Sequence, residues 1–216
     1  MDLFSIISFF VVFLISISFH ESAHALMAYK LGDSTAKDLG RISLNPLRHI
    51  SPIGTILLPL IGLLSPSHSF FGWAKPTPYN PHNLKDGHKD EIFIALAGPF
   101  TNILLALVFT GLFYLFAYVL SPLLPPNVAK NILSFLSVGV IENFLLAFFN
   151  LLPIPPLDGS SLLKIFVPRR FHVQLALFNQ YGLLILLVLS TGYFGNIIGD
   201  YLDTCVNFCL KIVGLL

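Results

Sequence analysis

The chain has 216 residues, 55% of them hydrophobic and 11% charged, with a mean hydropathy of +0.81 and a formal net charge of +1. An average soluble domain is about 25% charged, so these few charges cannot cover a water-soluble fold of this size and the bilayer is the expected solvent. The nearly neutral balance gives no electrostatic ground for binding nucleic acid.

Residues 3–30 make the first expected helix. Positions 3–19 are uncharged and helical patterning continues through 20–28, until Lys30 and Gly32 end it. About 20 apolar residues cross a bilayer core. The segment lacks the basic start and small-residue cleavage site of a signal peptide, so a retained membrane helix is expected. Residues 33–90 form a re-entrant or β region. Gly40 and Asn45-Pro46 are turn signals, and 41–44 is a short strand candidate. Residues 50–64 are apolar but broken by Pro52, Gly54, Pro59 and Gly62. Such backbone is tolerated at membrane depth only against protein or a wet cavity, so this piece is expected to re-enter rather than cross. Trp73 is a plausible interface anchor.

Further helices are expected at about 92–121, 131–152 and 173–190. Another candidate lies at 196–214, where Asp200 and Asp203 also suit an interfacial helix. The expected fold is an all-α polytopic membrane protein, one domain over 1–216. It has a three-helix core, additional helices, and a short β or re-entrant segment between helices 1 and 2. Cys205 and Cys209 lie four apart near the C-terminus, a spacing that does not suit a helical disulfide, and both read as packing residues. His49, His68, His82, His88 and His172 fall in or near loops and are expected to be solvated. Glu142 is the one charge of the third long helix. It reads equally as lining a water path or as sitting near the outer interface.

Basic residues set the orientation. If 50–64 does not cross, Lys30, Lys37, Arg41, Arg48, Lys75, Lys85 and Lys89 share a side with Lys164, Arg169 and Arg170, and Lys130 lies opposite. The positive-inside rule then puts the basic side in the cytoplasm and the N-terminus outside.

The chemistry is concentrated in His20-Glu21-Ser22-Ala23-His24, an H-E-x-x-H pattern. Positions i and i+4 share a helix face, so both imidazoles can reach one zinc ion while Glu21 accepts a proton from water. An acidic residue inside an apolar membrane helix costs about 2.5 kcal/mol or more on the insertion scale, so it is not expected there without a role. A catalytic zinc needs a third protein ligand. The run from Asn150 through Pro153, Pro155 and Pro156 to Asp158-Gly159 ends a helix and allows a sharp turn. Asp158 can there point back at the metal, or it can cap a helix at 160–165. Depth is consistent with the first use. His20 lies about ten residues, or about 15 Å, from Lys30, and Asn102 lies about 16 Å from Glu91 along its own helix.

Together Phe19-His20-Glu21-Ser22-Ala23-His24-Ala25, Ala97-Gly98-Pro99-Phe100-Thr101-Asn102 and the Asn150-to-Gly159 run resemble the site-2 protease family of intramembrane zinc metalloproteases. Gly40-Arg41-Ile42-Ser43-Leu44-Asn45-Pro46 and Gly72-Trp73-Ala74-Lys75-Pro76 resemble stretches of its compact prokaryotic members. The resemblance covers about 3–190. It implies a three-helix catalytic core, one Zn2+ per chain, and hydrolysis of peptide bonds within or near transmembrane segments of membrane-protein substrates. The metal set it implies is His20, His24 and Asp158, with Glu21 as the base. Asn150 and Asn102 are candidates for holding the oxyanion or positioning substrate. A prokaryotic inner membrane, an active site near the cytoplasmic side, and no PDZ or nucleotide-sensing domain are further expectations. Two other readings stand beside it. One is a metalloprotease of another membrane family with Glu142 as third ligand. The other is a zinc transporter or sensor, which would want polar groups on both sides of the site.

Overall fold

The computed structural model describes residues 3–64, 72–189 and 192–216. The long helices are α1 (Leu3–Lys30), α3 (His88–Leu115) and α4 (Pro126–Asn150), with a short α2 (Leu58–Leu64) before α3. After α4 come α5 (His172–Gln180), α6 (Gly182–Leu189) and α7 (Gly192–Ile212). No strand occurs among the described residues. Among the described residues, three apolar helices are long enough to cross a membrane: Leu3–Lys30, His88–Leu123 and Pro126–Asn150. All-α polytopic architecture is thus the observed class.

Two compact units divide the chain, Met1–Phe13 with Pro99–Leu216, and Leu14–Gly98. In the first, Ala106, Phe109 and Phe116 of the α3 stretch pack with Leu136, Val140 and Phe144 of α4 and with Val206 and Leu210 of α7. The i, i+4 spacing of Leu202, Val206 and Leu210 puts all three on the buried side of α7. Gly139 has no side chain because the Phe109 ring occupies the place of a Cβ. Asn102, fully buried on α3, donates to Asn143 Oδ1 on α4 at 2.9 Å, and Asn143 donates to Gly139 O at 2.8 Å. Side-chain bonds of this kind between membrane helices are worth roughly 0.6 kcal/mol each.

The second unit is closed by polar bonds more than by apolar area, its small core being Ala28, Leu84 and Ile94. Asp33, fully buried just after α1, accepts from Thr35 Oγ1 at 2.6 Å, Asn83 Nδ2 at 2.8 Å and the Asn80 amide at 2.9 Å. Burial pushes this carboxyl up, and the hydrogen bonds from Thr35, Asn83 and Asn80 more than reverse it, leaving its pKa below the ordinary 3.8.

The candidate strand at 41–44 is not one. Its backbone and side chains are spent on other partners: Arg41 donates to Lys75 O, while Ser43 O accepts from Ser22 Oγ and from His49 Nε2 at 2.7 Å. His49 is correspondingly buried, not solvated. His82 is exposed, and His88, also exposed, lies 3.5 Å from Glu91. His68 and the side chain of His172 lie outside the described residues. Residues 50–64 form a six-residue π-helical turn, Pro52–Leu57, running into α2, too short to span. The expected helix at 173–190 is α5 and α6. Between them Tyr181 keeps helical bonding, its N–H to Leu177 O at 3.3 Å and its carbonyl to Ile185 N at 2.9 Å. Cys205 and Cys209 are free and half-buried.

Candidate metal centre

His20 and His24 stand one turn apart on the same face of α1. Both are buried, with ring centroids 4.6 Å apart and ring planes at 81°. Their outer nitrogens converge on one spot beside α3. A Cβ placed on Gly98 would lie 2.5 Å from His20 Nε2 and 2.5 Å from His24 Nε2. Only glycine leaves that spot clear. The next residue, Pro99, has no N–H to bond Ala95 O, which loosens α3 in the turn that meets the histidines.

His24 Nδ1 lies 2.6 Å from Ile94 O. A carbonyl only accepts, so Nδ1 carries a proton, and in the neutral tautomer this selects the lone pair lies at Nε2. Histidines that ligate metals are held in this way by their other nitrogen. Two imidazoles one helical turn apart, with both Nε2 atoms turned to one spot, are donors that zinc accepts, so the histidines present fit the ion.

Asp158 is the first residue of the short 3-10 turn Asp158–Leu162, and the N-cap position belongs to Leu157. Gly159 follows because the main chain of Leu151 and Leu152 occupies the space of a Cβ there. The turn is therefore packed against the end of α4 by the absence of a side chain.

Glu21 is buried beside the two histidines. Its Oε2 accepts from Thr77 Oγ1 at 2.7 Å. Burial lowers the pKa of the Arg41 guanidinium, and the negative charge of Glu21 opposes that drop. Asn150, the last residue of α4, donates to Leu146 O at 2.9 Å with one of its two amide hydrogens. Glu142 is buried on α4, and neither carboxylate oxygen has a hydrogen-bond partner among the described residues.

Three structural features of this region escape the sequence pattern. Thr77 lies more than fifty positions from Glu21 and sits one residue beyond the Gly72-to-Pro76 stretch. Gly98 belongs to a recognised motif, but its purpose emerges only from the two Nε2 atoms. His49 looks like a loop histidine because its partner, Ser43 O, is a main-chain atom.

The model of peptidase family M50 matches residues 8–126 and 125–189. The chain is 36% identical over 187 residues to the Bacillus subtilis protein named "Putative zinc metalloprotease YwhC", covering 86% of this chain and 81% of that protein. It is 31% identical over 176 residues to the Mycolicibacterium smegmatis protein named "Putative zinc metalloprotease Rip2", covering 82% of this chain and 63% of that protein. No solved structure matches the chain at comparable significance. With the family model matched along most of its length, the chain belongs to peptidase family M50, the site-2 protease family of zinc metallopeptidases.

Proposed function

We propose that the chain hydrolyses peptide bonds within or near the transmembrane segments of membrane-protein substrates, with His20, His24 and Asp158 holding one zinc ion and Glu21 as general base. The observation that carries this reading is the location of the histidine pair. It is buried in a membrane-length apolar helix, with both Nε2 atoms turned toward the space kept clear by Gly98. The chemistry supplied by zinc at such a site is Lewis acidity, which polarises a peptide carbonyl and acidifies water.

The chain's own residues supply the rest. Glu21 removes a proton from the attacking water and delivers it to the leaving amine. Asn150, with its second amide hydrogen, is the candidate to hold the carbonyl oxygen as charge develops. Asn102 acts less directly, through its bond to Asn143. A substrate helix has its backbone internally bonded in lipid and must unwind before a peptide bond can be reached. The polar, proline-broken region at 33–90 is the candidate to present an edge to an unwound segment by strand addition. The positive-inside rule supports a cytoplasmic location for 31–90 and 160–170, with the site nearer that face of a prokaryotic inner membrane. Regulated intramembrane proteolysis and clearance of membrane remnants both suit such an activity.

The test compares membrane-protein fragments in cells carrying the wild-type chain or Glu21→Gln. Transmembrane-derived fragments that disappear in the variant are expected, while their precursors accumulate. Identical fragment populations would overturn the proposal.

A further inference from the structure

We infer that Thr77 is the residue that positions Glu21 for proton transfer, an inference resting on the proposed role of Glu21 as general base. Thr77 Oγ1 lies 2.7 Å from Glu21 Oε2 and 3.1 Å from Glu21 O. The hydroxyl has one proton, and the shorter contact to the charged acceptor takes it. A glutamate side chain on a helix otherwise samples several rotamers, and fixing it costs conformational entropy. Here a donor from outside the helix selects one of them. The same bond engages Oε2 and leaves Oε1 as the oxygen that receives the proton from water.

The donor is itself rigidly mounted. Thr77 sits between Pro76 and Pro78. The proline rings fix φ on both sides, and the residue before a proline is confined to extended backbone. On one side the segment is tied down by Trp73 N–H to Gly54 O at 3.0 Å, Thr55 Oγ1 to Trp73 O at 2.9 Å, and Lys75 N–H to His49 O at 2.8 Å. Arg41 adds a bond to Lys75 O. On the other side the Asn80 amide donates to Asp33 Oδ2 at 2.9 Å. Thr77 is the point between these anchors at which the segment touches the acid. Main-chain bonds to either side already hold the segment in place, so the hydroxyl is not needed to fasten it. Its contribution is the orientation of the carboxylate, and a small misplacement of a reacting group can cost up to about a hundredfold in rate.

The test uses the full chain in detergent or liposomes, with a cleavable transmembrane substrate, and reads kcat, KM, zinc content and thermal unfolding for Thr77→Val, Thr77→Ser and Glu21→Gln. Thr77→Val keeps the shape and loses the donor. It should lower kcat about tenfold or more, with KM, zinc content and Tm close to wild type. Thr77→Ser should restore most of kcat, because it restores the hydroxyl. Added to Glu21→Gln, Thr77→Val should lower the residual rate no further, since the two residues act as one unit. Wild-type kcat in Thr77→Val beside an inactive Glu21→Gln would overturn this inference and leave the base in place. Activity retained by Glu21→Gln would instead remove the reading on which it rests. A Thr77→Val protein that loses zinc or Tm in step with kcat, or a serine variant no better than valine, would reduce Thr77 to a structural residue and overturn the inference.

Discussion

The Nδ1 atom of His24 lies 2.6 Å from the carbonyl oxygen of Ile94, so a main-chain atom of one membrane helix decides which nitrogen of another helix's histidine is basic. Four residues further along α3, Gly98 clears the space that both Nε2 atoms face. One turn of α3 therefore both orients His24 and keeps clear the space that the two imidazoles face. Gly98→Ala should exploit this. The added methyl would lie 2.5 Å from both nitrogens, closer than any real Cβ contact. Zinc per chain should fall well below one, measured by metal analysis of the purified protein, with helical circular dichroism preserved. A stoichiometric zinc content in that variant would place the ion elsewhere.

Glu21→Gln should separate binding from chemistry. The ligands are untouched and only the proton acceptor is lost, so zinc content should match wild type while peptidase activity drops by a factor of about a hundred or more. His20→Ala and His24→Ala should instead lose the metal, because two protein ligands hold zinc poorly. Cleavage by Glu21→Gln at the wild-type rate would dismiss this residue as the base.

Asp33 gives the second unit a dependence on pH. Its carboxyl titrates below 3.8 in the folded chain because of the bonds from Thr35, Asn83 and Asn80, which outweigh the opposing effect of burial. A lowered folded-state pKa means that the stabilisation is complete above the ordinary value and is lost as pH falls through the lowered one. Asp33→Asn should therefore be less stable than wild type at pH 7, by roughly 1–3 kcal/mol for weakened bonds to a charged acceptor. The gap should narrow as pH falls through the lowered folded-state pKa of Asp33, below which both side chains are neutral. Thermal unfolding at a series of pH values reads this directly, and a gap independent of pH would show that the charge is not what matters.

How far the sequence reached depends on what each segment's partners are. The end of the first helix, at Lys30, was legible because Lys30 with Gly32 sets it. The second long helix begins at His88 and not near 92. Hydropathy begins at the first apolar residue, whereas the helix begins with Asp90 and Glu91 in a first turn that favours acidic groups. The third begins at Pro126 and not near 131, with a proline in the first turn, where its missing N–H costs nothing. The strand expectation failed at 41–44, since alternation alone cannot reveal that Ser43 O is taken by a helix serine and a loop histidine. The two histidines were readable as candidate ligands from a local repeat of four. The bond between His24 and Ile94 O, and the bond from Thr77 to Glu21, join residues seventy and fifty-six positions apart, which only the fold makes neighbours.

The orientation in the membrane is testable with the native cysteines removed. In a Cys205→Ser, Cys209→Ser background, Lys37→Cys and Arg170→Cys should each react with a membrane-impermeant thiol reagent only after the cells are opened. Both positions lie on the side with the excess of lysine and arginine, which the positive-inside rule assigns to the cytoplasm. Labelling of Lys37→Cys in intact cells would reverse the orientation and move the active site toward the outer face.

Asp158 is separated from His24 by more than a hundred residues, so its proposed part in holding the metal is the most open to test by a single substitution. Two roles were open to it in the sequence, metal ligand and helix cap. At the start of the short turn Asp158–Leu162 the cap position is filled by Leu157, which makes no side-chain cap bond. Asparagine caps a helix about as well as aspartate, so Asp158→Asn would be nearly silent if capping were its purpose. As a ligand it would behave otherwise. A neutral amide is a poorer donor to zinc than a carboxylate, and zinc affinity and peptidase activity should fall together. Competition with a chelator of known affinity should reveal a release of zinc at least about tenfold easier than from wild type, the lower end expected for weakening one contact to a metal. Asp158→Ala should go further and lose the ion as completely as a histidine variant. If Asp158→Asn holds zinc as tightly as wild type and cleaves at the same rate, the third ligand must be sought at another residue.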